Sequence, residues 1–273
     1  MKSLEEKLFV LIDPRDDSQN VLQRAIGCAK LRKPVPVVNV YVTRNGDRAG
    51  DGVNCLVRNQ HWFDREVFRP LDEAGLPYES AIAWGGRWPE TGMQAAEQLS
   101  ADMIFMPSHE VRPASNTLLD RGRWSFLGYS PCPLMLVRGE GGQKKRKTVL
   151  AAVNFQASSS EQVALNERIL GYSRREANLN GADLHVLNAY LDSMNYPDRG
   201  RLARETGLSA RHIHVRPGYT DEVIAGAVKE FRADMVVMGT INQRGGQGSM
   251  RRGNTTARVL AALDPDVDVL VVN

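Results

Sequence analysis

The sequence is poor in cysteine and contains no long apolar run. Its three cysteines, Cys28, Cys55 and Cys132, lie far apart without a CxxC pair, which argues against a disulfide framework and against a structural zinc site. No segment approaches the ~20 apolar residues that a membrane span needs. The first residues, MKSLEEKLFVLID, carry acidic side chains where a signal peptide is basic. We therefore expect a cytoplasmic protein without a membrane partner.

The sequence also lacks an excess of charge of one sign. The formal net charge is +3 over 273 residues, whereas proteins that bind nucleic acid usually concentrate basic charge on one face. We expect no nucleic-acid partner. The basic run in GEGGQKKRKT (139–148) resembles a nuclear signal, but its position favours a solvated linker between two domains.

An internal repeat is the most informative feature of the chain. LSADMIFMPS (99–108) matches FRADMVVMGT (231–240), and AGLPYESAIAWGG (74–86) matches TGLSARHIHVRPG (206–218), both at an offset of 132. KLFVLIDP (7–14), PVVNVYV (36–42) and PLMLVR (133–138) also have counterparts in the same order in the second half. This colinearity indicates a tandem duplication, with domains over 1–140 and 147–273.

Each half alternates short apolar runs with amphipathic segments. Helices are expected over Asn20–Leu31 and Ser160–Asn178, where apolar residues recur at three- and four-residue spacing. Strands that are apolar throughout are typical of a parallel sheet covered on both faces. The sequence therefore predicts an α/β protein of two tandem doubly wound, Rossmann-like parallel-sheet sandwich domains with about five strands in each half.

The glycine-rich loop at 239–256 follows the fourth strand of the second half. Gly239 permits a sharp turn and close backbone approach to a ligand. Gly253-Asn254-Thr255-Thr256 opens a helix over 257–263, and a helix start favours an anion. Arg244, Arg251 and Arg252 could add charge for phosphates. A phosphate cradle and an arginine-decorated surface turn are both compatible with these residues, and neither GxxxxGK[ST] nor GxGxxG is present.

The order of these motifs resembles the universal stress protein family. A strand ends in Asp or Asn, glycines follow the fourth strand, and Gly-Asn-Thr opens the last helix, while SPCPLMLVR (130–138) resembles the family's closing Pro-x-Pro strand. The arrangement is most similar to tandem-domain, UspE-like members and covers the whole chain. The resemblance implies adenine nucleotide alpha hydrolase-like domains that bind ATP, possibly with Mg²⁺, and a regulatory role in stress response rather than efficient catalysis.

The resemblance places the better nucleotide site in the second half. Asn154 stands at the position of the family's Asp, and Ala189 stands beside the base. The loop residues expected to contact the nucleotide are Gly239, Thr240, Asn242, Gly253, Asn254 and Thr255. Asn242 replaces the second glycine of the loop.

The first half keeps only part of this pattern. Asp13 and Val40 are the expected remnants of its site, but Pro107-Ser108-His109 replaces the loop glycines. Leu118-Leu119-Asp120 stands where the second half has Gly-Asn-Thr. Proline lacks the N–H that a phosphate needs, and Asp120 would repel a phosphate. We therefore expect a degenerate first site that binds no triphosphate in the usual way.

Other polar clusters have simpler interpretations. The acidic stretch Asp13–Asp17 could bind a metal, but a turn that caps the next helix is favoured. His212 and His214 alternate on an expected strand and could ligate zinc, but without a third ligand at suitable spacing a polar pair at the strand edge is favoured.

Two other functions stay open beside nucleotide binding. One is a stress protein that acts through protein contacts or an apolar ligand, and the other is an enzyme of the related adenine-nucleotide α-hydrolase group. No catalytic residue set is evident in the sequence. The resemblance also implies an internal pseudo-dimer, paired through the last strands at Leu134–Val137 and Val269–Val272, and possibly a homodimer.

Overall fold

The computed structural model of the chain describes residues 5–14, 16–44, 58–84, 90–108, 127, 130–139, 145–240 and 254–273. These residues form two compact units, the first made of 5–108 with 130–139 and the second of 145–240 with 254–273. Within the described ranges, no helix is long and apolar enough to cross a membrane.

The first unit contains a five-stranded parallel sheet. Its strands are β1 (Lys7–Ile12), β2 (Val37–Arg44), β3 (Tyr78–Trp84), β4 (Met103–Pro107) and β5 (Leu134–Val137). Their spatial order is β3-β2-β1-β4-β5, and every neighbouring pair is parallel. The described helices are α1 (Asn20–Lys30), α2 (Gln60–Phe63), α3 (Arg69–Ala74) and α4 (Glu90–Gln98), with a π-helical turn at Asp64–Phe68 between α2 and α3.

The second unit repeats this topology. Its strands are β6 (Thr148–Val153), β7 (Asp183–Tyr190), β8 (Ile213–Pro217), β9 (Met235–Gly239) and β10 (Asp268–Val272). Their order is β10-β9-β6-β7-β8, again with parallel neighbours. The helices are α5 (Ser160–Asn180), α6 (Arg199–Thr206), α7 (Thr220–Phe231) and α8 (Asn254–Ala262). The doubly wound fold class expected from the sequence is confirmed, with an identical strand order in both halves.

The repeated sequence segments adopt the same backbone conformation in both units. Gly75 and Gly207 end helices α3 and α6 with φ of 64° and 66°, a left-handed conformation that glycine adopts without strain. Ser100 and Arg232 share φ values of 52° and 51° after α4 and α7. The offset of 132 therefore matches structurally equivalent residues.

The Ala-Asp-Met segments have a structural role at the amino ends of the strands. A carboxylate oxygen of Asp102 accepts the Lys7 backbone N–H at 2.8 Å. A carboxylate oxygen of Asp234 accepts the backbone N–H groups of Lys147 at 2.7 Å and Thr148 at 3.2 Å. Each aspartate thus fixes the start of the first strand of its unit, at the edge of the sheet opposite to the predicted nucleotide site.

A buried ion cluster lies at the same edge of the second unit. Arg146, Glu176 and Asp268 are almost fully buried. The Arg146 guanidinium donates to Glu176 at 3.0 Å and to Asp268 at 3.3 Å. Buried charges are tolerated only when paired and hydrogen-bonded, so this cluster holds the start of β6, helix α5 and β10 together.

Candidate functional site

The strand order of the second unit creates a topological switch point at the carboxyl ends of β6 and β9. In the sheet, β7 is the neighbour of β6 on one side and β9 is its neighbour on the other side. The chain runs from β6 to β7 in one direction across the sheet, and from β9 to β10 in the opposite direction. The connections after β6 and β9 therefore diverge, and such a switch point forms a crevice where ligands of doubly wound sheets bind. Asn154 follows β6, and Gly239 ends β9, so the two segments predicted from the sequence meet at this switch point.

The backbone of Asn154 is fixed by a buried asparagine of helix α5. The Asn154 N–H donates to Asn166 Oδ1 at 3.0 Å, and Asn166 Nδ2 donates back to the Asn154 carbonyl at 2.8 Å. Gln162 also donates to Asn166 Oδ1 at 3.2 Å. The Asn154 side chain itself is exposed and takes no part in these bonds. The structure therefore presents this amide to solvent from a rigid backbone.

A second buried asparagine supports the next residue. Asn188, fully buried near the end of β7, accepts the Phe155 N–H on Oδ1 at 2.7 Å. Its Nδ2 donates to the Ala189 carbonyl at 2.9 Å. Arg201 of helix α6 covers the Phe155 ring, with its guanidinium carbon 5.5 Å from the ring centroid, a cation–π contact. Residues 154–155 and Ala189 thus belong to one hydrogen-bonded network, with Ala189 half-buried beside it.

Gly239 has a packing role that the sequence did not reveal. A Cβ atom at this position would lie 2.7 Å from two side-chain carbons of Leu165 and 2.9 Å from Ile169 Cδ1, closer than packed atoms approach. The expected sharp turn at Gly239 is wrong, because β9 continues through this residue, paired with Val272. The Thr240 N–H then donates to the Val272 carbonyl at 2.8 Å, so this N–H is already satisfied within the sheet.

Helix α8 begins on the far side of the glycine-rich loop, at Asn254. Thr255 is exposed, and Thr256 is buried, so Thr255 is accessible at the helix start, which precedes the expected start at residue 257. The side chain of Asn254 and the loop residues Asn242, Arg244, Arg251, Arg252 and Gly253 lie outside the described residues.

The first unit arranges the corresponding edge differently. Asp13 is 4% exposed at the carboxyl end of β1, and Gln19 donates to its backbone carbonyl at 2.9 Å. Arg58 donates to the Pro14 carbonyl at 2.7 Å and to Asp17 at 2.8 Å. The predicted turn is present, because the Asp16 N–H bonds the Asp13 carbonyl at 3.2 Å. The predicted cap is wrong, because the N-cap residue of α1 is Gln19 and its side chain makes no capping hydrogen bond. No group of three His, Cys, Asp or Glu side chains in the described ranges could hold a metal.

Val40 is not the counterpart of Ala189, although the resemblance gave both residues the position beside the base. Val40 pairs with Val10 in the middle of β2 and is 2% exposed, so its side chain belongs to the core. Leu8 pairs with Val38, and the equivalent Val149 pairs with Leu184. Counting five residues along each strand, Thr43 corresponds to Ala189.

The loop position after the fourth strand is shared by both units. Pro107 ends β4 as Gly239 ends β9, and the Ser108 N–H donates to the Val137 carbonyl at 3.1 Å, like Thr240 to Val272. The other residues predicted to differ there, His109 and Leu118-Leu119-Asp120, lie outside the described residues.

Three histidines meet on the β7–β8 side of the second unit. His185 Nδ1 lies 2.9 Å from His214 Nε2, and the His185 and His212 ring centroids are 4.9 Å apart. His212 ends a 3₁₀ turn at Ala210–His212 rather than starting the strand, which corrects the expected strand boundary. The sequence pattern missed His185 because it lies on another strand.

Comparison with known proteins connects this geometry to a family. A model of the universal stress protein family matches residues 6–138 and 197–273, more than half of the chain. The chain belongs to the universal stress protein family. Two matched segments in one chain, together with the repeated strand order, make it a tandem universal stress protein.

Its relatives have the same tandem length. Universal stress protein E of Salmonella typhi is 24% identical over 98% of this chain and 95% of its own length. The universal stress protein E homolog of Haemophilus influenzae is 25% identical over 94% of each chain. A universal stress protein from Archaeoglobus fulgidus gives a TM-score of 0.68 at 18% identity, covering 98% of this chain and 96% of that one.

The family match omits residues 139–196 of this universal stress protein. That gap contains Asn154, Asn166, Asn188 and Ala189, four residues of the candidate site. Asn166 and Asn188 also escaped the sequence reasoning, because their partners are backbone groups of a distant segment. The available signal was a single polar residue within an apolar run, as at Asn188 in VLNAY.

Proposed function

We propose that this tandem universal stress protein is a regulatory stress-response protein whose second unit binds ATP or another adenine nucleotide, with Mg²⁺ as a possible companion ion of the phosphates. The observation that carries the proposal is the construction of the switch point. Buried Asn166 and Asn188 hold the backbone of residues 154–155 by bonds of 2.7–3.0 Å, while the Asn154 amide stays exposed. Such preorganisation lowers the entropic cost of binding a ligand.

The chemistry of Asn154 fits a neutral part of a nucleotide. An amide both donates and accepts hydrogen bonds, so it can pair with a base edge or with a ribose hydroxyl. Unlike a carboxylate, it adds no negative charge near the phosphates. The start of α8, with the exposed Thr255 hydroxyl, supplies backbone N–H groups and the positive end of a helix dipole. We assign the base or ribose to Asn154 and Ala189, and the phosphates to the loop that ends at α8.

The first unit is proposed to be structural or to bind a different ligand. Arg58 already occupies the carbonyl of Pro14 after β1. Pro107 ends β4 without a backbone N–H to offer. Both features remove groups that a nucleotide would use.

Equilibrium binding of labelled ATP, with and without Mg²⁺, tests the proposal. Asn154→Ala removes the exposed amide, and Gly253→Asp places a carboxylate where the phosphates are expected. Asn178→Ala, on the exposed face of α5, is a matched control for loss of an amide. We expect saturable binding in the wild type and the control, and at least tenfold weaker binding in the other two variants, since one lost hydrogen bond of this kind is worth about 1.5 kcal/mol. Absence of saturable binding by the wild type would refute the nucleotide proposal.

A second candidate function rests on exposed apolar side chains. The second unit exposes four large apolar side chains near the carboxyl ends of β7 and β8, namely Leu191 (69%), Met194 (89%), Tyr196 (49%) and Tyr219 (56%). The Gly218 N–H joins these two strand ends by donating to the Tyr190 carbonyl at 2.9 Å. Exposed aromatic and methionine side chains favour contacts with proteins or apolar ligands.

Thermal unfolding separates the two candidates. A nucleotide that binds only the folded state must raise the melting temperature as its concentration rises. If saturating ATP leaves the melting temperature unchanged, the contact function is favoured over nucleotide binding. We also propose a cytoplasmic location, which fractionation of the producing cell tests directly.

A further inference from the structure

The three histidines of the second unit form one contact cluster with helix α7. The rings of His185 and His214 both stack on Phe231, the last residue of α7, with centroid distances of 4.6 and 4.2 Å. His212 packs edge-on against His185. All three side chains are half-buried. We call these four residues the imidazole clasp, because they hold the end of α7 to strands β7 and β8.

The charged groups around the clasp come from each element that packs against it. On β8, Arg216 lies over the Phe231 ring at 5.2 Å and donates two hydrogen bonds, of 2.7 and 2.8 Å, to Glu230 of α7. On β7, Asp183 is the acidic group that acts on His185. The negative charges of Asp183 on His185 and of Glu230 on His214 partly offset new positive charge in the clasp, whereas Arg216 adds to it.

The hydrogen bond between the two imidazoles limits how many protons the clasp accepts. One of His185 Nδ1 and His214 Nε2 must donate, and the other must accept, at their separation of 2.9 Å. A first added proton can bind the outer nitrogen of the donor ring without breaking this bond. A second proton on this His185–His214 pair must bind the acceptor nitrogen, which destroys the bond and places two imidazolium rings in contact.

The pKa values of His185 and His214 are both lowered, in agreement with this geometry. Burial, followed by the positive charge of His185 and Arg216, lowers the pKa of His214 from 6.5 to about 4. Burial and His212 lower the pKa of His185, against the opposing effect of Asp183. A pKa lowered in the folded state means that the opened state binds protons more tightly. Stability is therefore fully present above pH 6.5 and is lost as the pH falls toward 4.

The first unit lacks the clasp, although its backbone is equivalent. Asn39, Ala81 and Leu99 occupy the positions of His185, His214 and Phe231. None of these three residues titrates in this range. The clasp is thus a feature of one unit and not a requirement of the fold.

We propose that the imidazole clasp is an acid-sensitive latch that releases the carboxyl-terminal end of helix α7 from strands β7 and β8 when the hydrogen-bonded pair His185–His214 takes up a second proton. Helix α7 also reaches the candidate site. Its Asp221 accepts from Arg258 of α8 at 2.7 Å, and α8 begins at the glycine-rich loop. Release of α7 would therefore also loosen α8 next to the candidate nucleotide site. This second step, unlike the release of α7 itself, rests on the proposed nucleotide function.

Hydrogen exchange without nucleotide tests the latch. Exchange is measured at pH 7.5 and pH 5.0, corrected for intrinsic rates, on peptides of α7 with α5 as an internal reference. A pKa of His214 that falls from 6.5 in the opened state to about 4 in the folded state would favour opening ~30-fold more at pH 5 than at neutral pH. Because His214 is partly exposed and solvent screens its charge, we expect about tenfold lower protection of α7. The double variant His185→Gln/His214→Gln should lose this pH dependence. His61→Gln, at an exposed histidine of the first unit, is the matched control and should retain it.

Equal protection of α7 at both pH values in the wild type would overturn the latch. The latch would also be overturned if the double variant lost as much protection of α7 at pH 5.0 as the wild type does. A histidine titration of the wild type by NMR covers the case in which the double variant fails to fold. His185 and His214 should titrate in coupled steps below pH 6.5, and independent titration of both near 6.5 would overturn the proposal.

Labelled ATP then tests the second step. The dissociation constant should rise between pH 7.5 and 5.0 in the wild type and stay constant in the double variant. A rise of the same size in both would overturn the coupling. Loss of binding at both pH values would refute the nucleotide function and leave the latch standing on the exchange data.

Discussion

Replacing Gly239 by alanine distinguishes a packing role from a ligand role at the end of β9. The new Cβ would lie 2.7 Å from Leu165 and 2.9 Å from Ile169, whose side chains are 3% and 2% exposed and cannot move into solvent. Overpacking of this kind costs about 1–3 kcal/mol. Because two buried side chains of one helix must both shift, we expect a loss of about 2 kcal/mol in the unfolding free energy of the second unit.

Urea unfolding followed by circular dichroism, with hydrogen exchange on α5 peptides to assign the transition, measures this loss. Gly171→Ala is the matched control, because an added Cβ there meets no atom within 4 Å, and it should stabilise α5 by about 0.5–1 kcal/mol. In a Leu165→Ala background the cost of Gly239→Ala should shrink, since the new methyl group enters the space left by the leucine. An unchanged unfolding free energy combined with lost ATP binding would refute this reasoning and assign the glycine to the ligand.

Four further substitutions address the scaffold of the two units. Asn188→Leu leaves the buried Phe155 N–H without its 2.7 Å acceptor, so we expect a loss of about 1–3 kcal/mol by urea unfolding together with weaker nucleotide binding. Asp102→Ala and Asp234→Ala each remove the carboxylate that accepts backbone N–H groups at a strand start, and unit-resolved hydrogen exchange should show each loss in its own unit only. Arg146→Ala leaves two buried carboxylates without their guanidinium and should cost about 3–5 kcal/mol in thermal or urea unfolding, whereas a change below 1 kcal/mol would contradict the importance of this cluster.

The sequence predicted the repeated scaffold well, because local physics repeats with it. Gly75 and Gly207 match since both end a helix with a left-handed residue, and the Ala-Asp-Met segments match since each aspartate closes the same hydrogen bonds. These requirements leave specific residues at specific spacings, which an alignment of the halves can detect.

The site was harder to predict because apolar strands carry no register signal. Helix α1 ends at Lys30, but its counterpart α5 runs to Asn180, so the offset between the halves changes from β1–β6 to β2–β7. A strand buried on both faces tolerates such a slip without exposing polar side chains. Val40 and Ala189 were therefore both assigned to the position beside the base, although the sheet register makes Thr43 the structural counterpart of Ala189.

The two units resemble each other more at the amino ends of their strands than at the carboxyl ends, and this difference bears on function. At the amino ends of the strands, both units have an aspartate before the fourth strand that accepts backbone N–H groups at the start of the first strand. Each unit also has an ion pair between the segment before its first strand and the region of its first helix, with the charges in opposite order, because Glu6 accepts from Arg32 at 3.3 Å whereas Arg146 donates to Glu176 at 3.0 Å. The exchange preserves the attraction and thus the scaffold.

At the carboxyl ends of the strands, the replacement of Asp13 in the first unit by Asn154 in the second changes the chemistry that a ligand would meet. Asp13 is buried in a turn that Arg58 covers, whereas Asn154 is exposed on a backbone fixed by Asn166. Burial of a carboxylate and exposure of an amide offer a ligand different charges and different donors, so the two units cannot bind the same molecule in the same way. With the proposed nucleotide site in the second unit, we therefore expect a stoichiometry of one nucleotide per chain. Isothermal titration that finds two equal sites per chain would contradict it.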